Sequence, residues 1–224
     1  MFDDIVDRYD LVNRILSLGL DGLWRRRAVR VVREIGGPVL DLGCGTGDLV
    51  REVGVDRTIG LDVSERMLLR ARARLGRAAR GVRGSAFSLP FADASVAAAV
   101  SAFVLRNLDD LEGAFGELAR VVRPGGPIAL VDITEPTSPL LRKAFHGYFD
   151  AVAPALGGLV GKRDAYRYLT RSLAQLPPPS EVTAMLGHAG FVDAVARPLT
   201  GGVVTLFTAR REPIVAAHWR GYSR

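Results

Sequence analysis

The chain has 224 residues, 48% of them hydrophobic, and a formal net charge of +6 from 30 Lys and Arg against 24 Asp and Glu. This length supports one sizeable core, so a single domain is expected; no run reaches the roughly 18 uninterrupted apolar residues that a membrane span needs. Cys44 is the only cysteine, which excludes an internal disulfide, and no metal-ligand spacing is present, so no metal is expected. Met1 is not followed by a basic and then an apolar segment, the pattern of a secretory signal, and a cytoplasmic location is expected. All but two of the basic residues are arginine. Their densest run, Arg66 to Arg83, interleaves with Met67, Leu68, Ala71 and Leu75 and reads as the solvated back of a helix, with lipid headgroups or nucleic acid as alternative contacts.

In chain order, an apolar run over residues 38–42 predicts a strand that enters a glycine turn, with a helix over 46–53. A strand over 58–61, a helix over 64–75, a strand over 96–103 and a helix over 111–122 follow. "RPGG" at 123–126 stops that helix before a strand at 127–133. Alternating β and α elements of this length imply a Rossmann-like α/β fold with a mainly parallel sheet. Helices are then expected over 140–156 and 163–176, and a further one opening at "PPPS" and ending at "GHAGF". The runs 192–196 and 202–208 are close enough to pair antiparallel at the sheet edge. The division expected is one domain over 1–211, with a helical lid region at 1–35 and a tail at 212–224.

"VLDLGCGTGD" carries the first specific chemistry. Gly43, Gly45 and Gly47 let the backbone approach a ligand at the carboxyl end of the first strand, where open α/β sheets bind ligands. The spacing is GxGxG, unlike the GxGxxG of dinucleotide binders, and Asp41 ahead of it would repel a pyrophosphate. S-adenosylmethionine has an ammonium, a sulfonium and no phosphate, so an acid beside it is favourable. Asp62, in "GLDVS", is placed to accept hydrogen bonds from ribose hydroxyls, with a helix-capping role as the plainer alternative. Cys44, Val63, Ser85 and Ala86 complete the expected cofactor-binding set.

"DLGCGTGDL", "LDVSERML", "LPFADAS", "LRNLDD" and "RVVRPGG" resemble the successive motifs of class I S-adenosylmethionine-dependent methyltransferases, and within them of the ubiquinone/menaquinone biosynthesis C-methyltransferases. "YDLVNRILSLGLDGLWRR", with Tyr9, Asp10, Asn13, Ser17, Gly19 and Trp24 in register, is similar to the amino-terminal signature of that family; "DAYRYLTRS", "HAGF" and "LTGGVVTLFTARR" are similar to its carboxyl-terminal ones. The resemblance spans nearly residues 1–211. Two positions depart from it: Ser85 stands where an Asp or Asn usually meets adenine, and Arg171 stands where an acid usually follows "YRYL".

The resemblance implies methylation of a ring carbon of a prenylated demethylquinol, demethylmenaquinol-like, in quinone biosynthesis. A free phenol has a pKa near 10, so such a site must stabilise phenolate or offer a base. Arg106, in "LRN" after the fourth strand, is assigned the phenolate and Asn107 the orientation of a water or quinol oxygen, with a structural ion pair from Arg106 to Asp109, Asp110 or another acid as the alternative. Tyr9 and Asp10 are the remaining catalytic candidates, against core packing and helix capping. Phe145, Tyr148, Phe149, Tyr166 and Tyr168 are candidates for the substrate wall, with core packing as the alternative, and Asp132 for the pocket floor. His146 is the one histidine expected near substrate. A prenylated substrate implies a transient, peripheral visit to an anionic membrane surface. No nucleic-acid partner is expected, a homodimer stands open, and the alternatives for the acceptor are another phenolic small molecule or RNA.

Overall fold

The computed structural model describes residue 14 and residues 17–160 and 176–213, with 150–160 as backbone only. Seven strands form one sheet: β1 Val39–Leu42, β2 Thr58–Asp62, β3 Arg80–Arg83, β4 Ala98–Ala102, β5 Pro127–Ile133, β6 Phe191–Leu199 and β7 Val204–Arg211, in the order β3-β2-β1-β4-β5-β7-β6. The first five are parallel, and β7 runs antiparallel to both β5 and β6. The α/β architecture with an antiparallel edge is therefore as the alternation of elements predicts. β1 and β4 are short apolar runs, nearly all buried, as strands covered on both faces must be.

Among the described residues these α-helices accompany the sheet: α1 Asp21–Val32, α2 Asp48–Val53, α3 Glu65–Leu75, α4 Leu111–Val121, α5 Pro139–Val160 and α6 Pro179–His188. They divide the core in two. On one side Trp24, Ala28, Val29 and Val32 of α1 and Leu49 of α2 pack on Val100, Val131 and Leu206. On the other, Phe115 and Leu118 of α4 and Val182 and Leu186 of α6 pack on Leu42, Leu130 and Phe207. Each such side chain, fully buried, contributes on the order of 1.5–3 kcal/mol before chain entropy is counted.

The helix boundaries have local causes. The Ser64 hydroxyl accepts from the Met67 N–H to open α3, and Asp110 accepts from the Gly113 N–H at 2.9 Å to open α4. After α4 the chain reverses at Gly126, where a Cβ would lie 2.6 Å from the Ala97 carbonyl oxygen, so only glycine fits. Several elements differ from expectation, among them the strand expected over 202–208, which runs over Val204–Arg211 after a turn at Thr200–Gly202. β3 is an additional strand, edge-lying and polar ("RGVR"), with no alternation to betray it. β4 is shorter than 96–103, because Val96 makes only an isolated bridge to Val122 and Phe103 turns away at φ +64°. β6 is longer than 192–196, carried across a bulge between Val192 and Val195.

Candidate active site

A cavity of ≈190 Å³ opens at the carboxyl ends of β1, β2 and β4, lined by Gly43, Gly45, Asp62, Val63, Ser85, Ala86 and Asn107 together with Met67, Phe87, Phe103, Val104 and Leu108. The glycine turn makes it possible. Gly43 has φ +68°, and a Cβ there would lie 2.5 Å from Val104 Cγ2. Asp62 binds the turn to β2: its Oδ2 accepts from the Gly45 N–H and its Oδ1 from the Ser64 N–H, each at 2.9 Å. It thus caps the following turn and also lines the cavity, where a carboxylate is an acceptor suited to a diol.

Three residues of the expected cofactor set lie outside this lining. Gly47, at φ +87°, is the N-cap of α2 and lies under Leu75 and Ala71 of α3. Cys44 faces away from the cavity, its Sγ against Gly60, and burial beside Asp41 and Asp62 pushes its thiol pKa far up, so it is inert packing. Asp41 is 1% exposed and, among the described residues, neither carboxylate oxygen has a hydrogen-bond partner of good geometry. Burial pushes its pKa from the usual 3.8 up to about 8, against the pull of Arg25 and with the push of Asp62 and Asp48. A buried, poorly bonded carboxylate behind the glycine turn is the environment a cationic ligand relieves. These residues fit S-adenosylmethionine.

Behind Phe103 lies a second, small cavity of ≈30 Å³, lined by Ser17, Asp21, Trp24, Arg106, Ile133, Phe149 and Val203, with Phe103 as the wall common to both. Arg106 is 8% exposed. Its guanidinium donates to Asp132 Oδ1 at 2.5 Å and its backbone N–H to Oδ2 at 3.1 Å, while Asp132 is wholly buried. The ion-pair partner is therefore Asp132, on β5, and not Asp109 or Asp110. Arg106 is held rigidly, its charge compensated, with its Cζ 5.9 Å from the Phe103 ring centroid. A second buried arginine, Arg25, lies 5.3 Å from the same ring; it bonds Asp21 and pairs with Asp48 at 3.4 Å. The Trp24 indole N–H donates to Thr200 Oγ1 at 2.8 Å, which ties α1 to the β6–β7 turn.

Neighbours in sequence are thus divided between the cavities: Arg106 faces the small one, and Asn107 faces the cofactor side, its side-chain amide donating to the Phe103 carbonyl at 3.2 Å. Of the expected substrate wall, Phe149 reaches the small cavity. The Phe145 ring lies tilted against it at 4.6 Å and Tyr148 meets it edge-on at 5.6 Å; neither lines either of these two cavities, and burial raises the Tyr148 pKa. Tyr9, Asp10, Tyr166, Tyr168, Arg171 and the helix expected at 163–176 lie outside the described residues. His146 pairs with Glu135 at 2.6 Å on the surface. The sequence reading missed Asp21, Arg25 and Phe103 as site residues. Phe103 had a signal, a bulky aromatic between a small-residue strand and "LRN"; the buried pairing of Arg25 had none.

Comparison with known proteins agrees with this geometry. The model of the ubiE/COQ5 methyltransferase family matches residues 1–211. The chain is 41% identical to a demethylmenaquinone methyltransferase of Thermus thermophilus, covering 94% of this chain and 100% of that one. It is 38% identical to a ubiquinone/menaquinone biosynthesis C-methyltransferase of Syntrophotalea carbinolica, covering 94% and 92%. Among solved structures, an S-adenosylmethionine-dependent methyltransferase from Thermotoga maritima superposes with a TM-score of 0.69 at 19% identity, over 94% of this chain and 98% of that one, a likeness of fold.

Proposed function

This chain belongs to the ubiE/COQ5 methyltransferase family, an S-adenosylmethionine-dependent methyltransferase acting at carbon in quinone biosynthesis, and we propose that its acceptor is a prenylated demethylquinol of the demethylmenaquinol type. The observation that carries this reading is the pair of cavities sharing Phe103, one glycine-walled and mainly apolar with Asp62 at its side, the other aromatic and backed by the Arg106–Asp132 pair.

When bound, the cofactor supplies an electrophilic methyl on cationic sulfur; Gly43, Gly45, Asp62 and Ser85 are the residues that would hold it, with Asp41 as the buried counter-charge. That chemistry would place the methyl on a ring carbon ortho to a hydroxyl, with the proton of that carbon passing to water as aromaticity is restored. The nucleophilicity of that carbon depends on charge at the hydroxyl oxygen. Arg106 stabilises that charge, and Asp132 fixes the guanidinium so that no reorganisation is needed when the charge develops. Trp24, Phe103 and Phe149 form an apolar wall beside Arg106; the ≈30 Å³ between them is smaller than an aromatic ring, so an acceptor ring would enter only as these side chains move apart. Among the described residues, no helix is long and apolar enough to cross a membrane. A prenylated acceptor, being held in a membrane, would bring this enzyme to the bilayer surface as a peripheral visitor. Leu18 and Leu140, 70% and 77% exposed, support such a visit.

The test is transfer of labelled methyl to short-tailed demethylmenaquinol, a demethylubiquinol precursor, a simple phenol and bulk RNA under reducing conditions. Label on the quinol, lost in Arg106→Ala, supports the reading; label on the simple phenol or RNA alone overturns it. Co-sedimentation with anionic but not zwitterionic liposomes at low salt tests the membrane visit, and equal recovery with both refutes an anionic surface.

A further inference from the structure

The largest concavity described lies away from both site cavities. It is a cleft of ≈390 Å³ between the outer side of α1 and the sheet face of β6 and β7, near the start of β5, and it shares no residue with either. Four of its eleven lining residues are arginines: Arg27 and Arg30 from α1, Arg197 from β6 and Arg210 from β7. Arginine is about one residue in eight across the chain, so this is a local concentration rather than a reflection of composition. Among the described residues, none of the four makes an ion pair with a carboxylate, and Arg210 spends one N–H on the Gly125 carbonyl at 3.2 Å.

One acid lines the cleft, Asp193, and its placement is unusual. It sits in the β6 bulge with φ +54°, a conformation that L-residues other than Asn and Asp seldom adopt. Bulges of this kind re-aim a side chain. The floor between the guanidiniums is partly apolar, with Leu206 buried beneath. The volume is that of a small-ligand site, and forked guanidinium groups match phosphate oxygens in pairs.

We propose that this cleft binds a phosphate-bearing anion, either a soluble phosphate or diphosphate ester or the headgroup of an anionic phospholipid. The charge is concave and spread over three separate elements, so it recognises a compact polyanion better than it would a flat surface. Asp193 counters part of the charge, which favours a ligand presenting its phosphate to one side of the cleft and a hydroxyl or ammonium to the other. The proposal is independent of the methyl-transfer reading, because none of these residues lines the active site and every readout is binding.

The experiment uses the full chain, titrated calorimetrically with inorganic diphosphate at about 0.15 M ionic strength and floated with phosphatidylglycerol or phosphatidylcholine vesicles. Saturable diphosphate binding identifies a soluble anion; binding to phosphatidylglycerol vesicles alone identifies a headgroup. In either case Arg27→Gln with Arg197→Gln weakens binding by about tenfold or more, whereas the same charge removed at the far edge, Arg72→Gln with Arg77→Gln, changes it by less than about twofold. Asp193→Asn, which keeps a residue tolerant of that backbone, tightens binding about threefold, a gain that misfolding cannot imitate. Absence of both diphosphate and phosphatidylglycerol binding, or equal loss from the two double variants, overturns the proposal.

Discussion

The two halves of the active site are built in different ways. On the β1–β2 side the cofactor cavity is built from short contiguous stretches at the ends of parallel strands: a glycine turn anchored on Asp62, with Leu42, Met67 and Val104 beside it. On the β5–β7 side the second cavity is made of side chains from distant segments, Trp24 of α1, Arg106 after β4 and Phe149 of α5, held by the buried ion pair from Arg106 to Asp132 of β5 and by one indole hydrogen bond. A glycine turn tolerates no added atoms, whereas a site held by a buried pair tolerates no lost partner.

The sharpest test of that contrast is Arg106→Ala. It leaves Asp132 buried and uncompensated, with an expected loss of about 3–5 kcal/mol of stability and on the order of 10²–10³-fold in kcat. Urea unfolding and single-turnover rates measure the two. The double change Arg106→Met with Asp132→Leu should restore much of the stability and none of the rate; recovery of both would mean that the pair is structural only.

Gly43→Ala probes the other half by addition. The new methyl meets Val104 at 2.5 Å in a left-handed backbone, and S-adenosylmethionine affinity should fall about ten- to thirtyfold, measured calorimetrically, with folding largely retained.

Asp41→Asn separates charge from shape. With a native pKa of about 8 against 3.8 unfolded, the native state binds more protons between those values. The contribution of Asp41 to stability is therefore fully present below about pH 4, is lost as pH rises to about 8, and then levels. The Asn variant should lack this slope in chemical denaturation. Cofactor affinity of the wild type should rise over the same window as a proton leaves Asp41, and that of the variant should be lower and flat; an unchanged slope would place the titration elsewhere.

Trp24→Phe removes the bond to Thr200 and some buried volume beside Phe103. About 1–3 kcal/mol of stability and a severalfold rise in acceptor KM are expected, with cofactor affinity unmoved. The smallest effect belongs to Arg83→Gln, whose pair with Glu65 at 3.4 Å is 67% exposed on both sides; under about 0.5 kcal/mol is expected, and a larger loss would mean that the polar edge strand β3 depends on that pair.

The same contrast explains what the sequence disclosed. The cofactor half was legible because its residues lie within short contiguous motifs and because glycines at fixed spacing have few other uses. Gly43, Gly45, Asp62, Val63, Ser85 and Ala86 all reach the cavity. The chain there still misled at Cys44, since a local motif does not reveal which way a side chain turns. On the acceptor side, Arg106 was found through "LRN", but its partner Asp132 is 26 residues away and was read only as a pocket floor. Arg25 stands among three successive arginines, and periodicity alone does not separate the buried one from its exposed neighbours Arg26 and Arg27. β3 escaped for a related reason: a polar edge strand is defined by its neighbour, not by its own pattern.

The strand order also bears on how the polypeptide is made. β7 comes last in sequence yet lies between β5 and β6, and Leu206 and Phe207 supply one core residue to each face. Until residues 204–211 leave the ribosome, β5 has an open hydrogen-bonding edge and both cores lack a wall. The nascent chain therefore waits as a half-closed sheet, a species prone to edge-to-edge association and a natural client for chaperones. Completion is a single late, long-range zippering event, slow in the manner of non-local β pairing.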